Sequence, residues 1–287
     1  MYYFLALLTG IIISVMLAFN GGLSMQYGPY MATVIIYAVG LILVSIFVLL
    51  KKERPFSKKH AWFLYLGGPI GVMAIEFNNM AFGRISVSAI LALGLLGQSV
   101  AGILIDQYGF FGMSKHPFTK RKIIGFFLIL CGIASMINNF DIVAVAVSVL
   151  AGASMVVSRT LNAKLARQTS IWTGSLYSYL TGLAAAILIF LIFAHPGTVF
   201  TEFVISPRFY IYLGSLLAVC VVVLSNITVV KISAFYLTLL LFTGQVFAGI
   251  GVDIVLSGAF STRNLIGGIL VALGLCVNLL LDRKLKK

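Results

Sequence analysis

Glu76 stands in an apolar stretch, nine residues after Gly67 and seven before Gly83, with no Lys or Arg between Ala61 and Gly83. A carboxylate deep in hydrocarbon costs roughly 2.5–3.5 kcal/mol on insertion scales, so Glu76 must be protonated, paired or turned toward water. Its chemistry is that of a proton or cation site, alternating between a protonated and a cation-bound form. Hydrogen bonding to Asn78 or Asn79 is the purely structural alternative. Tyr37, Tyr65, Phe77 and Tyr179 supply ring faces that would suit a protonated or quaternary amine. The same stretch carries Gly67-Gly68-Pro69-Ile70-Gly71, which combines a missing backbone donor with permissive positions and predicts a kink or hinge.

Other polar side chains are sparse. Asn20, Asn79, Gln98, Asn226 and Gln245 are candidate lining groups for a polar path, with interhelical hydrogen bonding as the competing role for each, as for Asn162. Asp106 and Arg159 are expected to form a structural pair near one membrane face. Cys131, Cys220 and Cys276 have no metal-like spacing, and His60, His116 and His195 fall outside the apolar runs. No metal, no cofactor and no catalytic pair is expected, so an enzyme is the least favoured class.

Ten apolar runs must position these residues: 2–23, 30–50, 61–82, 87–106, 123–137, 142–163, 172–193, 210–229, 234–255 and 264–281. Apolar residues make up 61% of the chain and charged residues 9%, which excludes an ordinary soluble domain. Each run of about 20 residues suits a helix crossing roughly 30 Å of hydrocarbon, so the expected class is an all-α integral membrane protein. The net charge of +13 does not read as nucleic-acid binding, because of where the charges lie. Seventeen of the twenty Lys and Arg fall in alternate loops or at the C-terminus, leaving Arg84, Arg208 and Arg263 on the other side. The positive-inside rule then places both termini in the cytoplasm. The first run has no basic leader and is read as a span.

The chain repeats itself. Residues 97–106, GQSVAGILID, and 244–253, GQVFAGIGVD, agree at six of ten positions across an offset of 147. The same offset relates Tyr65-Leu66-Gly67 to Tyr212-Leu213-Gly214 and Asn79 to Asn226, while an offset of 142 relates Asn20 to Asn162, Tyr37 to Tyr179 and Gly40 to Gly182. Two units, 1–140 and 141–287, each hold five spans. An odd number inverts the second unit, an arrangement many secondary transporters use around a midplane site. Glu76 has no counterpart, since its equivalent is Val223.

Ten spans in two halves, NGGLS at 20–24, GQSVAGILIDQYGFFG at 97–112 and IIGFFLILCGI at 123–133 together resemble the drug/metabolite transporter superfamily. The nearest branch is the one of five-plus-five-span proteins long catalogued as a domain of unknown function. LNAKLARQ at 161–168 departs from the glycine-rich FNGGLSMQ at 19–26. This resemblance implies a bacterial-type inner-membrane transporter working by alternating access, as a monomer or homodimer. The expected substrate is a small polar solute, leaning to a cationic or zwitterionic amine, with protons coupled through Glu76. A flippase for lipid-linked solutes and a channel-like protein are the alternatives.

Overall fold

In a computed structural model, residues 1–55, 60–110, 122–136, 141–194, 207–231, 234–258 and 261–285 are described. They form ten α-helices, and no strand is present among them. These are α1 (Tyr2–Tyr27), α2 (Pro29–Leu50), α3 (Gly67–Ala81), α4 (Val87–Tyr108), α5 (Lys122–Met136), α6 (Ile142–Gln168), α7 (Ile171–Phe193), α8 (Leu213–Lys231), α9 (Ala234–Ser257) and α10 (Thr262–Leu285). Short 3-10 turns, Trp62–Leu66 and Phe209–Tyr212, lead into α3 and α8.

Helix starts follow local chemistry. Pro29 opens α2 after Gly28, whose φ of 77° suits a residue without Cβ. Ser86 caps α4 by accepting from the Ala89 N–H at 3.2 Å, and Ser170 caps α7 by accepting from the Thr173 N–H at 3.0 Å. Asp141 accepts from Val143 and Ala144 at the start of α6 and pairs with Arg84 at 3.4 Å. At the other end of α4, Gly109 takes φ 68° and its N–H bonds the Ile105 carbonyl at 2.8 Å.

Five helices, α1, α2, α4, α6 and α7, are each long and apolar enough to cross a bilayer. Their outer faces fit such a solvent: Ile42, Ile46, Leu188 and Leu191 are all exposed. Shorter apolar stretches occur at 127–136, 209–222, 240–256 and 262–274.

The chain forms two compact units. One comprises Met1–Val15, Ala81–Ala153 and Leu224–Lys287, and the other Met16–Met80 and Ser154–Val223. Each unit therefore takes helices from both sequence halves. In the first, α5 and α10 run antiparallel: a Cβ on Gly132 would meet the Gly267 carbonyl at 2.7 Å, and one on Gly274 would meet the Gly125 carbonyl at 2.6 Å. Ile129, Ile133, Met136, Phe242, Val246 and Val271 fill the core beside them. The same unit packs Gly10 on Leu241 and Gly244, and Gly152 on Gly94. Gly10 and Gly152 are repeat partners, so one joint is built twice.

In the second unit α2 and α7 are also antiparallel, since Tyr30 stacks on Phe193, Tyr37 meets Tyr179, and Phe47 stacks on Trp172 with ring centres 4.6 Å apart. Tyr179 lies over Gly40 and Tyr37 over Gly182, a reciprocal ring-on-glycine pair that a Cβ at either glycine would obstruct. A second reciprocal pair seats Asn162 on Gly67 and Asn20 on Gly214. Such close approaches require glycine.

Candidate functional site

The N-terminal end of α3 is held from three sides. Pro69 has no N–H to offer the Tyr65 carbonyl four residues earlier, the donor a regular helix would supply. Thr181 of α7 donates its hydroxyl to that carbonyl at 3.0 Å. Ser158 of α6 donates to the Gly67 carbonyl at 2.6 Å, and Tyr37 of α2 donates to the Gly68 carbonyl at 3.3 Å. Small residues make these contacts possible: Gly68 lies against the α7 backbone, and a Cβ on Gly71 would fall 2.8 Å from the Tyr37 hydroxyl and 3.0 Å from that of Ser158. The segment expected to act as a hinge thus occupies the first turn of α3, and a 3-10 turn precedes it. An equivalent 3-10 turn precedes α8, where Ser215-Leu216-Leu217 replaces Gly68-Pro69-Ile70. The turn therefore does not require proline.

Five residues beyond Gly71, Glu76 is buried at 5% exposure, and neither carboxylate oxygen has a hydrogen-bond partner. Thr33 and Tyr37 of α2 are its neighbours. Thr33 is committed elsewhere, donating to the Pro29 carbonyl at 3.1 Å and accepting from Asn79 Nδ2 at 3.3 Å. A buried charge with no partner is a steep energetic cost, so burial disfavours the ionised form of this carboxyl group.

Glu76, Asn79, Tyr37, Asn20, Tyr65 and Phe77 all belong to the second unit, whereas Gln98 and Gln245 belong to the first. The rings fall into two pairs: Tyr37 with Tyr179 at 5.6 Å and Tyr65 with Tyr177 at 5.1 Å. Phe77 is half-buried beside Glu76 in the sequence. Arg159 is exposed on α6. The side chains of Asp106 and Asn226 lie outside the described residues, and with them the expected Asp106–Arg159 pair.

Thr33, Ser158 and Thr181 were not among the sequence candidates. Hydroxyls in apolar helices usually bond their own backbone and leave no pattern. A signal does exist in the repeat, because Ser158 corresponds to Met16 and Thr181 to Val39. Asp253, on α9, binds the start of α4: it accepts from the Val87 N–H at 2.7 Å, the Ser88 N–H at 3.1 Å and the Ser88 hydroxyl at 2.5 Å. Among the described residues, no cluster of His, Cys, Asp and Glu suits a metal ion.

The family described as "Putative inner membrane exporter, YdcZ", of the drug/metabolite transporter type, matches residues 1–135 and again 143–277. The chain belongs to this family. The match in two halves agrees with the internal repeat, and the family is one of membrane transporters. No curated protein matches the chain in sequence. A solved structure described only as "Crystal structure of protein" shares the fold, with a TM-score of 0.68 and 14% identity, covering 97% of this chain and 98% of that one.

Proposed function

We propose that the protein is a secondary-active exporter of the inner membrane that moves a small polar, amine-bearing solute by alternating access and couples it to protons through Glu76. The observation that carries this reading is the carboxylate of Glu76, buried with both oxygens unpartnered on a helix whose first carbonyls accept hydroxyl groups from α2, α6 and α7. A proton neutralises Glu76 in one state, and the ammonium group of the solute replaces it in the other. Exchange of the two at one carboxylate gives antiport without any further coupling device.

Ten spans, arranged as inverted repeats over 1–140 and 141–287, frame the site in this account. Antiparallel packing of the equivalent helices α2 with α7 and α5 with α10 supports inversion. The loop charges support cytoplasmic termini. Gly67, Gly68, Pro69 and Gly71 form the gate: the hydroxyls of Thr181, Ser158 and Tyr37 replace or reinforce backbone bonds there, so the turn opens by exchanging side-chain donors and leaves the rest of α3 intact. Asn79 donates to the hydroxyl of Thr33, a neighbour of Glu76.

Proteoliposomes loaded with a metabolite extract and placed in an outward-directed solute gradient test the proposal, with efflux read by mass spectrometry. At least one amine-bearing solute should leave faster than from protein-free vesicles. Efflux indistinguishable from protein-free vesicles for every solute overturns it.

A further inference from the structure

We propose that the turn leaving α2 and the turn entering α7 form a binding site for an anionic phospholipid, with Lys51, Lys52, Arg54 and Arg167 around its headgroup phosphate and the last turns of α2 beside its acyl chains. The site is independent of the reading of Glu76 and lies wholly within the second compact unit. It begins with the way α2 ends. The Glu53 N–H bonds the Val48 carbonyl at 3.1 Å and the Lys52 N–H bonds the Leu49 carbonyl at 3.0 Å, the nested pair that closes a helix through a left-handed residue. That residue is Lys52, with φ 51°, at a position where glycine is the usual occupant.

This reversal turns the acid inward and leaves the bases outside. Glu53 accepts the hydroxyls of Ser170 and Thr173 at the start of α7, the latter at 2.6 Å, while Lys51, Lys52 and Arg54 are exposed. Arg167, three residues before Ser170, is exposed as well. Its segment is tied to the same loop where His60 donates from Nδ1 to Gln168 Oε1 at 3.1 Å. Across residues 51–66 and 154–175 Glu53 is the only acidic residue, so once its carboxylate is engaged by α7 no other acid on these segments offsets the cations. Orientation in the membrane requires only that basic residues lie in the loop; it does not require the one acid among them to be folded away.

Two features fit a lipid better than a soluble anion. Ile46, Phe47, Leu49 and Leu50, immediately before the cations, are exposed, so the charges cap an apolar surface as a headgroup caps its chains. Trp62, in the 3-10 turn that follows the same loop, is 75% exposed, and Trp172 stacks on Phe47; tryptophan collects at the headgroup level of membranes. Clusters of Lys and Arg directly beyond a spanning helix recognise anionic headgroups in this way. The repeat supplies a contrast. Across the offset of 142, Lys51, Lys52, Arg54 and Arg167 correspond to Phe193, Ala194, Pro196 and Met25, so the duplicated framework carries the cluster only once.

Both tryptophans of the chain, Trp62 and Trp172, lie at this site, so quenching of their fluorescence by brominated lipids in mixed micelles of the purified full chain provides the test. Brominated phosphatidylglycerol should quench the wild type at a mole fraction about tenfold below that of brominated phosphatidylcholine, and sodium chloride should narrow the difference. Lys52→Gly, which suits the left-handed turn and so guards against misfolding, should reduce the preference about fivefold. The triple variant Lys51→Gln, Lys52→Gln, Arg54→Gln should abolish it. Removing the same charge from the other compact unit, with Lys284→Gln, Lys286→Gln and Lys287→Gln, should leave it intact. Equal quenching of the wild type by the two lipids overturns the proposal, as does a preference unchanged in Lys52→Gly or in the triple variant, or one lost equally in the C-terminal variant. If inorganic phosphate abolishes the preference where sodium chloride of equal ionic strength does not, the cations hold a soluble anion and the lipid assignment fails.

Discussion

Removing the Thr181 hydroxyl should weaken the start of α3 only as long as residue 69 is proline. Thr181→Val keeps the side-chain shape but withdraws the donor that reaches the Tyr65 carbonyl at 3.0 Å. Pro69 cannot replace it, so the carbonyl is left without its helical partner. Interhelical hydrogen bonds in membranes average about 0.6 kcal/mol and reach about 1.7 kcal/mol. A group left wholly unsatisfied costs about 1–3 kcal/mol. Thr181 also bonds its own helix at the Tyr177 carbonyl, 2.9 Å away, so part of the hydroxyl's contribution lies outside the junction. A loss of about 1 kcal/mol follows for Thr181→Val, roughly fivefold in the folding equilibrium. Pro69→Ala restores an N–H at that position. In its background Thr181→Val should cost close to nothing, giving a coupling energy near 1 kcal/mol in a double-mutant cycle. Reversible unfolding in mixed micelles, followed by Trp fluorescence, supplies the four stabilities. Equal cost of Thr181→Val with Pro69 and with Ala at that position would refute the argument that the hydroxyl substitutes for the missing backbone donor.

Gly67→Ala and Gly214→Ala should each displace the asparagine seated on the glycine, Asn162 and Asn20 respectively, and lower stability by about 1–3 kcal/mol as overpacking does; thermal unfolding of both variants checks whether the two costs match, as equivalent joints require. Asp253→Ala removes an acceptor from two backbone N–H groups and the Ser88 hydroxyl at the start of α4, so a loss of about 1–2 kcal/mol is expected from the same measurement. Backbone N–H groups of Ala144 and Val143, with Arg84 beside them, hold the exposed carboxyl of Asp141 below the usual carboxylate range. A lowered folded value means the contribution is fully present above the unfolded pKa of about 3.9 and is lost as pH falls through the folded one. A scan of melting temperature from pH 6 to pH 2 should show a decline below pH 4 that is shallower in Asp141→Asn.

Much of the fold is legible in the sequence because the bilayer imposes a simple code. Runs of apolar residues near 20 in length coincide with helices, and the ends of α2 and α7 fall within a few residues of the hydropathy edges. Where hydropathy misleads, the cause is local. Reading 142–163 as a span stops short of Lys164, yet α6 continues to Gln168, since LNAKLARQ is built largely from good helix formers. The run 61–82 divides into a 3-10 turn and a shorter α3, a change of helical hand-hold that apolarity alone does not encode. Repeat partners such as Gly40 with Tyr179 and Tyr37 with Gly182 could be aligned in sequence, but their reciprocal contact needs three dimensions.

The site was only partly legible for a related reason. Glu76 stands out because a lone carboxylate in an apolar run is costly, and the structure places it in a buried position with no hydrogen-bond partner. Thr33, Ser158 and Thr181 do not stand out, as a hydroxyl can serve its own helix at no evident cost. Their roles appear only when α2, α6 and α7 are brought against the Gly-Gly-Pro start of α3. Division into compact units that interleave the two sequence halves is likewise invisible to the repeat alignment, which orders residues along the chain and not by contact.

Proton movement through Glu76 is tested most directly by trapping a pH-sensitive dye inside proteoliposomes loaded with the exported solute mixture and diluting them into solute-free buffer. The account predicts that solute efflux from wild-type vesicles is accompanied by acidification of the lumen, and that Glu76→Gln vesicles, with protein folded and inserted to the same extent, show no such acidification. Equal acidification in the Glu76→Gln vesicles, or solute efflux from the wild type with no change of internal pH, would contradict it.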